Sequence, residues 1–258
     1  MGTLQPLFVE LCAGTAAVTC WLHGRRPPCS RVGSKAGYAA AIGEALGLAQ
    51  GERIVRLVEN DGRTVTAMTW LFLRPARLAK AVEDMADGDA LSVWRCARAM
   101  VEGPVGTSVE DAAAWWLWTA GARGGVGGFK GPHKHRPSVD GFIPSRVSLV
   151  RRLRAFPGDL SVGVMYADAR ELRPVPGAVV YVDPPYEDTL QVGRPLPRED
   201  VVELAQRWHR AGCVVGVSER EPVPMAGATY IELTQRRNGQ KRRSMTRSDA
   251  EWLTVLRP

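Results

Sequence analysis

Asp183-Pro184-Pro185-Tyr186 closes an apolar, strand-like run, Gly177-Ala178-Val179-Val180-Tyr181-Val182, with a rigid polar turn. Two consecutive prolines fix φ and remove two backbone donors, so the turn offers acceptors and almost no amide hydrogens. A carboxylate (Asp183), the carbonyls of Pro184 and Pro185 and the ring of Tyr186 then share one small corner. That set of groups suits an exocyclic amine on an aromatic base: carboxylate and proline carbonyl accept its two hydrogens while the ring stacks on the base. An aromatic amine is a poor nucleophile because its lone pair is delocalised. Two acceptors on its hydrogens pull the nitrogen toward a tetrahedral geometry and localise the pair toward an electrophile, so that positioning and electrostatics carry the transfer without a strong base. The plainer alternative is a proline turn capping a buried strand, against which any four-residue motif has to be weighed.

The elements that must position this corner are legible from periodicity. Apolar runs at 7–11, 53–58, 161–165, 178–182, 212–217, 229–233 and 252–256 read as strands. Helical spacing covers 35–48, 146–156 and 199–210, and a longer helical stretch from 63 to 118 is broken at Pro75, Asp87-Gly88 and Gly103-Pro104. The segment 121–145, rich in glycine, proline and cations and without periodicity, reads as a loop. Trp115-Trp116-Leu117-Trp118 reads as a helix entering its own small core. Strands alternating with helices imply an α/β fold, a doubly wound and mainly parallel sheet with ligands at the carboxyl ends of its strands.

A chain of 258 residues with 45% apolar content buries a full core. Its net charge of +7 points to a polyanionic partner. The five cysteines are scattered without a CxxC pair, and His133 and His135 have no ligand-type neighbours, so neither a disulfide framework nor a metal site is expected. No leader and no membrane-length apolar run is evident, and a cytoplasmic protein is expected.

Glu10, Gly14, Asp61, Asp168 and Asp183 all fall at or just beyond the carboxyl ends of predicted strands, which a doubly wound sheet gathers at one crevice. Glycine at 14 admits a ligand close to the backbone, and an acid after the second strand can accept hydrogen bonds from ribose hydroxyls. With Phe8-Val9-Glu10-Leu11-Cys12-Ala13-Gly14-Thr15-Ala16, Asn60-Asp61, Asp168 and Asp183-Pro184-Pro185-Tyr186, the chain resembles the class I S-adenosylmethionine-dependent methyltransferases, and among them the D12-type DNA adenine methylases. The resemblance spans about residues 7–62 and 145–258. It implies an S-adenosylmethionine-binding catalytic domain from 1–62 and 145–258, and a helical and loop target-recognition insert from 63 to 144. It also implies a catalytic motif at Asp183, Pro184, Pro185 and Tyr186, and donor contacts from Glu10, Cys12, Ala13, Gly14, Lys35, Asp61, Asp168 and Asp183. The family's usual second glycine is here Ala16. A lysine- and glycine-containing segment that ordinarily precedes the first strand appears after it, at 31–42. If that element is relocated, Lys35 pairs with the donor's carboxylate; if the segment merely enters the first crossover helix, Lys35 is a solvated helix-start lysine.

Three stretches carry unbalanced positive charge: Arg123, Lys130, Lys134 and Arg136 in the glycine-rich segment, Arg146, Arg151, Arg152 and Arg154 after it, and Arg236, Arg237, Lys241, Arg242, Arg243 and Arg247 between the last two strands. With the proline motif they suit phosphate contact with double-stranded DNA. The resemblance therefore implies methyl transfer to the N6 amino group of a flipped-out adenine, with Tyr186 stacking on the base. An RNA or cytosine-N4 methyltransferase, or an inert nucleic-acid-binding module of the same fold, are the alternatives.

Overall fold

The computed structural model describes residues 5–29, 34–51, 53–125, 127–133, 136–140, 142–158, 161–185, 196–233 and 251–258. In chain order its elements are β1 (Phe8–Leu11), α1 (Ala17–Leu22), α2 (Ala39–Ala45), β2 (Val55–Glu59), α3 (Gly62–Leu73), α4 (Pro75–Met85), α5 (Ala90–Glu102), α6 (Val109–Gly121), β3 (Pro132–His133), β4 (Arg136–Asp140), α7 (Phe142–Arg154), β5 (Val162–Tyr166), β6 (Val179–Val182), α8 (Arg198–Arg210), β7 (Val214–Glu219), β8 (Thr229–Leu233) and β9 (Glu251–Leu256). They group into two compact units, residues 1–26, 35–61 and 161–258 in one, and 27–34 and 62–160 in the other.

Among the described residues the first unit holds a seven-stranded sheet in the order β5-β2-β1-β6-β7-β9-β8. The strands from β5 to β7 pair in parallel, while β9 runs antiparallel to both β7 and β8. This is the doubly wound, mainly parallel α/β fold expected from the alternation of elements. Parallel pairing of β1 with β2 and of β6 with β7 is possible because helices α1 and α2 follow β1 and helix α8 follows β6. On one face Val201, Leu204, Ala205 and Trp208 of α8, a 3.6-residue stripe, pack with Val180, Val182, Val215 and Val217. On the other, α2 approaches so closely that a Cβ at Gly216 of β7 would stand 2.7 Å from Leu46. The chain order reverses between β1 and β6, which makes their shared carboxyl end the topological switch point, where doubly wound sheets bind ligands.

The second unit is built around α6. Ser108 and Asp111 form a reciprocal cap at its start, the Asp111 amide donating to Ser108 Oγ at 3.1 Å and the Ser108 amide to Asp111 Oδ2 at 2.9 Å. Trp115 and Trp116 are buried edge to face with centroids 4.9 Å apart, so these tryptophans serve the core of this unit. As the sequence predicts, the helical stretch breaks at these points: Pro75 opens α4, and Asp87-Gly88 and Gly103-Pro104 fall between helices. Two expectations change. The 121–145 segment carries a small antiparallel hairpin, β3 with β4, and α7 begins at Phe142. In addition, α7 packs on α4 and α6, so the second unit continues to residue 160 and includes 27–34, whereas the expected boundaries are 63 and 144. A short amphipathic helix shows which face is apolar and leaves open which core it joins. No helix among the described residues is long and apolar enough to cross a membrane.

Candidate active site

The loop after β1 is held in an unusual backbone state. Cys12, Gly14 and Ala16 have φ of 55°, 51° and 51°, a left-handed conformation that is free for glycine and costs a side-chain-bearing residue about 1–2 kcal/mol. Such strain persists where surrounding contacts overdetermine it, and here they are visible. The Ala13 amide donates to the carbonyl of Val58 at 3.1 Å, and the Gly14 amide to Glu59 Oε2 at 3.0 Å. Glu59, the last residue of β2, also accepts from the amides of Asn60 and Asp61, at 2.8 and 3.2 Å. One carboxylate thus ties the β1 loop to the β2 loop. Burial pushes its pKa up, against these three hydrogen bonds. A Cβ at Gly14 would meet only a carbonyl 3.9 Å away, so the space beside this residue is open.

Glu10 does something else. Its carboxylate is buried and accepts from the Val18 and Thr19 amides at 3.3 and 2.9 Å and from the Thr19 hydroxyl, capping the first turn of α1. Burial raises its pKa to about 7. Glu10 thereby fixes the helix that follows the loop.

Across the switch point, the register Leu11↔Val182↔Val217 brings the end of β6 beside the ends of β1 and β7. The Asp183 amide donates to the Leu11 carbonyl at 3.2 Å, which seats the proline turn. Asp183 Oδ1 receives Lys35 Nζ at 2.8 Å and the hydroxyl of Ser218 at 3.1 Å. Tyr181 and Ser218 hydroxyls lie 2.8 Å apart. Since the single Ser218 proton goes to the carboxylate, Tyr181 is the donor of that pair. Lys35 is only 3% exposed and also meets Glu251 Oε1 at 3.5 Å. Burial works to lower its pKa, but the charges of Asp183 and Glu251 outweigh that, and the net shift is upward.

Lys35 therefore answers the two readings unevenly. It lies in the first crossover, in a 3-10 turn leading to α2, as the second has it. Yet it is neither solvated nor a plain helix-start residue, because its ammonium is fixed on the carboxylate of the proline motif. Asp168 is engaged too, by a fork from Arg170 (Nη2 to Oδ2, 2.6 Å) that also reaches Asp200 at 2.9 Å. Asp61 closes the β2 loop, half-buried. Burial pushes the Cys12 thiol pKa up, and the charges of Glu59, Asp183 and Asp168 add to it.

Of the expected DNA contacts, Arg123 is exposed in a 3-10 turn after α6. Lys130 is not a free cation: its ammonium donates to the Ala120 carbonyl at 2.8 Å, closing the end of α6, and burial lowers its pKa. Arg136 stands on β4. In α7, Arg146 donates to the carbonyls of Ala86 and Gly88, Arg152 to that of Pro28, and Arg154 to Glu83, so much of its basic face is used within the unit. Tyr186, Lys134, Arg236, Arg237, Lys241, Arg242 and Arg243 lie outside the described residues.

Sequence reasoning missed Glu251, Tyr181 and the bridging use of Glu59. Glu251 sits in an antiparallel strand far along the chain, paired with Leu233, and only its contact with Lys35 reveals it. Glu219 ends β7, and burial raises its pKa to about 7. The chain matches no family model and no curated protein. It is similar to two structures of the rRNA methyltransferase AviRa from Streptomyces viridochromogenes, at 15% identity over 99% of this chain and 78% of that one, with a TM-score of 0.37. Function therefore has to be argued from the site itself.

Proposed function

We propose that the protein is an S-adenosylmethionine-dependent methyltransferase acting on the exocyclic N6 amino group of adenine in double-stranded DNA. The observation that carries this reading is the placement of the Asp183 proline turn and the left-handed Cys12–Ala16 loop on the two sides of the switch point, joined through the hydrogen bond from Asp183 to Leu11. The residues present fit the donor. S-adenosylmethionine supplies an electrophilic methyl group on a cationic sulfonium, and Glu59, Asp61, Asp168 and Asp183 end or follow the parallel strands β2, β5 and β6. Gly14 leaves the backbone approachable, and Asp61 is the acid placed for ribose hydroxyls. On the acceptor side, Asp183 keeps Oδ2 for one amine hydrogen while Lys35 and Ser218 hold Oδ1, and the Pro184 carbonyl takes the other. A nitrogen so held directs its lone pair away from both acceptors, toward the methyl group, and loses its extra proton to solvent after transfer. A duplex base reaches such a corner only by leaving the stack.

The test uses purified protein with tritiated-methyl S-adenosylmethionine, offered unmethylated plasmid DNA and total RNA in separate arms, followed by nucleoside mass spectrometry. N6-methyladenosine of the deoxy series in the DNA arm is the expected product. N4-methylcytosine, or label confined to RNA, would reassign the substrate. Donor binding without transfer to either would leave an inert module.

A further inference from the structure

Tyr181 lies in β6 and Asp183 directly follows that strand, its amide still in the ladder with Leu11, so these two side chains leave the sheet on the same face. Ser218 follows Val217, the partner of Val182, and so stands level with Asp183 on the neighbouring strand. Its hydroxyl bridges the other two, 2.8 Å from the Tyr181 hydroxyl and donating to Asp183 Oδ1 at 3.1 Å. Tyr181 and Ser218 are both fully buried, between valines of β6 and β7. A buried hydroxyl costs stability unless it is partnered, and phenylalanine and alanine would fill the same space without that cost. The two hydroxyls are explained instead by where they end. Tyr181 donates to Ser218 and Ser218 to Asp183, each bond strengthening the next. This supplies a direction that Lys35 does not. An aspartate carboxylate has only a broad, twofold preference about its last torsion. The ammonium at 2.8 Å from Oδ1 is a compact charge with three rotatable donors, which attracts the carboxylate without selecting one rotation of it. A hydroxyl anchored in the sheet donates along one line.

We infer that Tyr181 and Ser218 form a buried hydroxyl relay that holds the Asp183 carboxylate in the one rotation that offers Oδ2 to the substrate amine. Both are positioning residues, acting on the reaction through Asp183. The inference rests on the proposed use of Asp183 as the amine's acceptor. Orientation matters there because hydrogen bonds weaken steeply away from linearity, and the amine's lone pair is aimed at the methyl group only while both acceptors lie along its N–H bonds.

The experiment compares Ser218→Ala, Ser218→Thr, Tyr181→Phe and the double variant of Ser218→Ala with Tyr181→Phe. None of them changes a charge, so Lys35, Arg198, Glu219 and Glu251 keep theirs throughout. Readouts are the single-turnover rate of methyl transfer to the DNA or RNA that wild type methylates, donor affinity by calorimetry, and thermal melting. Ser218→Ala is expected to slow transfer about ten- to thirtyfold, the loss of one hydrogen bond to a charged group, with donor affinity within about twofold. Tyr181→Phe, which removes a neutral bond one step back, should slow it about threefold. Ser218→Thr keeps the hydroxyl and should restore the rate to within about threefold of wild type. The double variant should transfer as slowly as Ser218→Ala and no more slowly, because the tyrosine hydroxyl acts through the serine. An unchanged rate in Ser218→Ala, a matching loss of donor affinity, or losses that multiply in the double variant overturn the inference. If the added methyl of threonine lowers the melting temperature, the double variant decides. Wild-type transfer with an unaffected Ser218→Ala sinks the relay alone. A wild type that methylates neither DNA nor RNA sinks the proposed function, and the relay with it.

Discussion

Asp183→Ala is the perturbation that most fully exposes how the site is built. By the motif alone it removes an acceptor for the amine and should abolish transfer while leaving donor binding within a few-fold. The structure adds a cost. Asp183 is the nearer partner of an ammonium only 3% exposed, at 2.8 Å, and Glu251 holds it from 3.5 Å. Breaking a buried ion pair by deleting one partner typically costs about 3–5 kcal/mol. Glu251 still compensates part of the lysine's charge, and Ser218 loses one further hydrogen bond worth about 1 kcal/mol, so a net destabilisation of about 3 kcal/mol is expected. Asp183→Asn keeps an oxygen for Lys35 and Ser218 and should cost about half as much, with residual turnover above that of the alanine variant. Urea unfolding gives the stabilities, titration calorimetry the donor affinity, and methyl incorporation the turnover. An alanine variant as stable as wild type would refute the buried pair. An alanine variant with full turnover would refute the catalytic assignment of the whole corner.

Glu10 gives a pH signature. Its folded pKa of about 7 lies above the 4.5 of the free side chain, so its contribution is fully present below about pH 4.5 and is lost as pH rises to 7, by about 3 kcal/mol in total. Glu10→Gln should flatten the stability–pH profile over that window, and a profile as steep as that of wild type would count against it. Asp61→Ala should weaken S-adenosylmethionine binding by about 1.5–3 kcal/mol, measured by calorimetry. Glu59→Gln should do so indirectly and also lower stability, because it loosens the tie between the β1 and β2 loops; unchanged affinity in the Asp61 variant would move the ribose contact elsewhere. For Tyr186, Phe and Trp variants should retain substantial activity and the Ala variant lose most of it, since stacking is worth about 1–3 kcal/mol per base. A 2-aminopurine base at the target position should brighten on binding, and wild-type turnover in Tyr186→Ala would exclude stacking.

The sequence by itself determined the strands of the sheet to within a residue or two, the helix breaks at Pro75, Asp87-Gly88 and Gly103-Pro104, and the gathering of Glu10, Gly14, Asp61, Asp168 and Asp183 at strand ends. These follow from local chemistry: period-two and period-3.6 burial, the missing amide of proline, and the rule that parallel strands present their carboxyl ends together. Only the tertiary structure decided which partners each acid meets. Glu10 and Glu59 have the same side chain in adjacent strands, Glu10 within β1 and Glu59 at the end of β2. One caps a helix and the other ties two loops, because the nearest unpaired amides lie in different places around each. The role of Lys35 was equally out of reach, since a cation after a loop looks solvated until the fold removes water from it. Glu251 completes the case. It lies 68 positions from Asp183 in the chain, and its antiparallel strand delivers it to the same lysine through hydrogen-bond register, a relation between strands that no local pattern encodes.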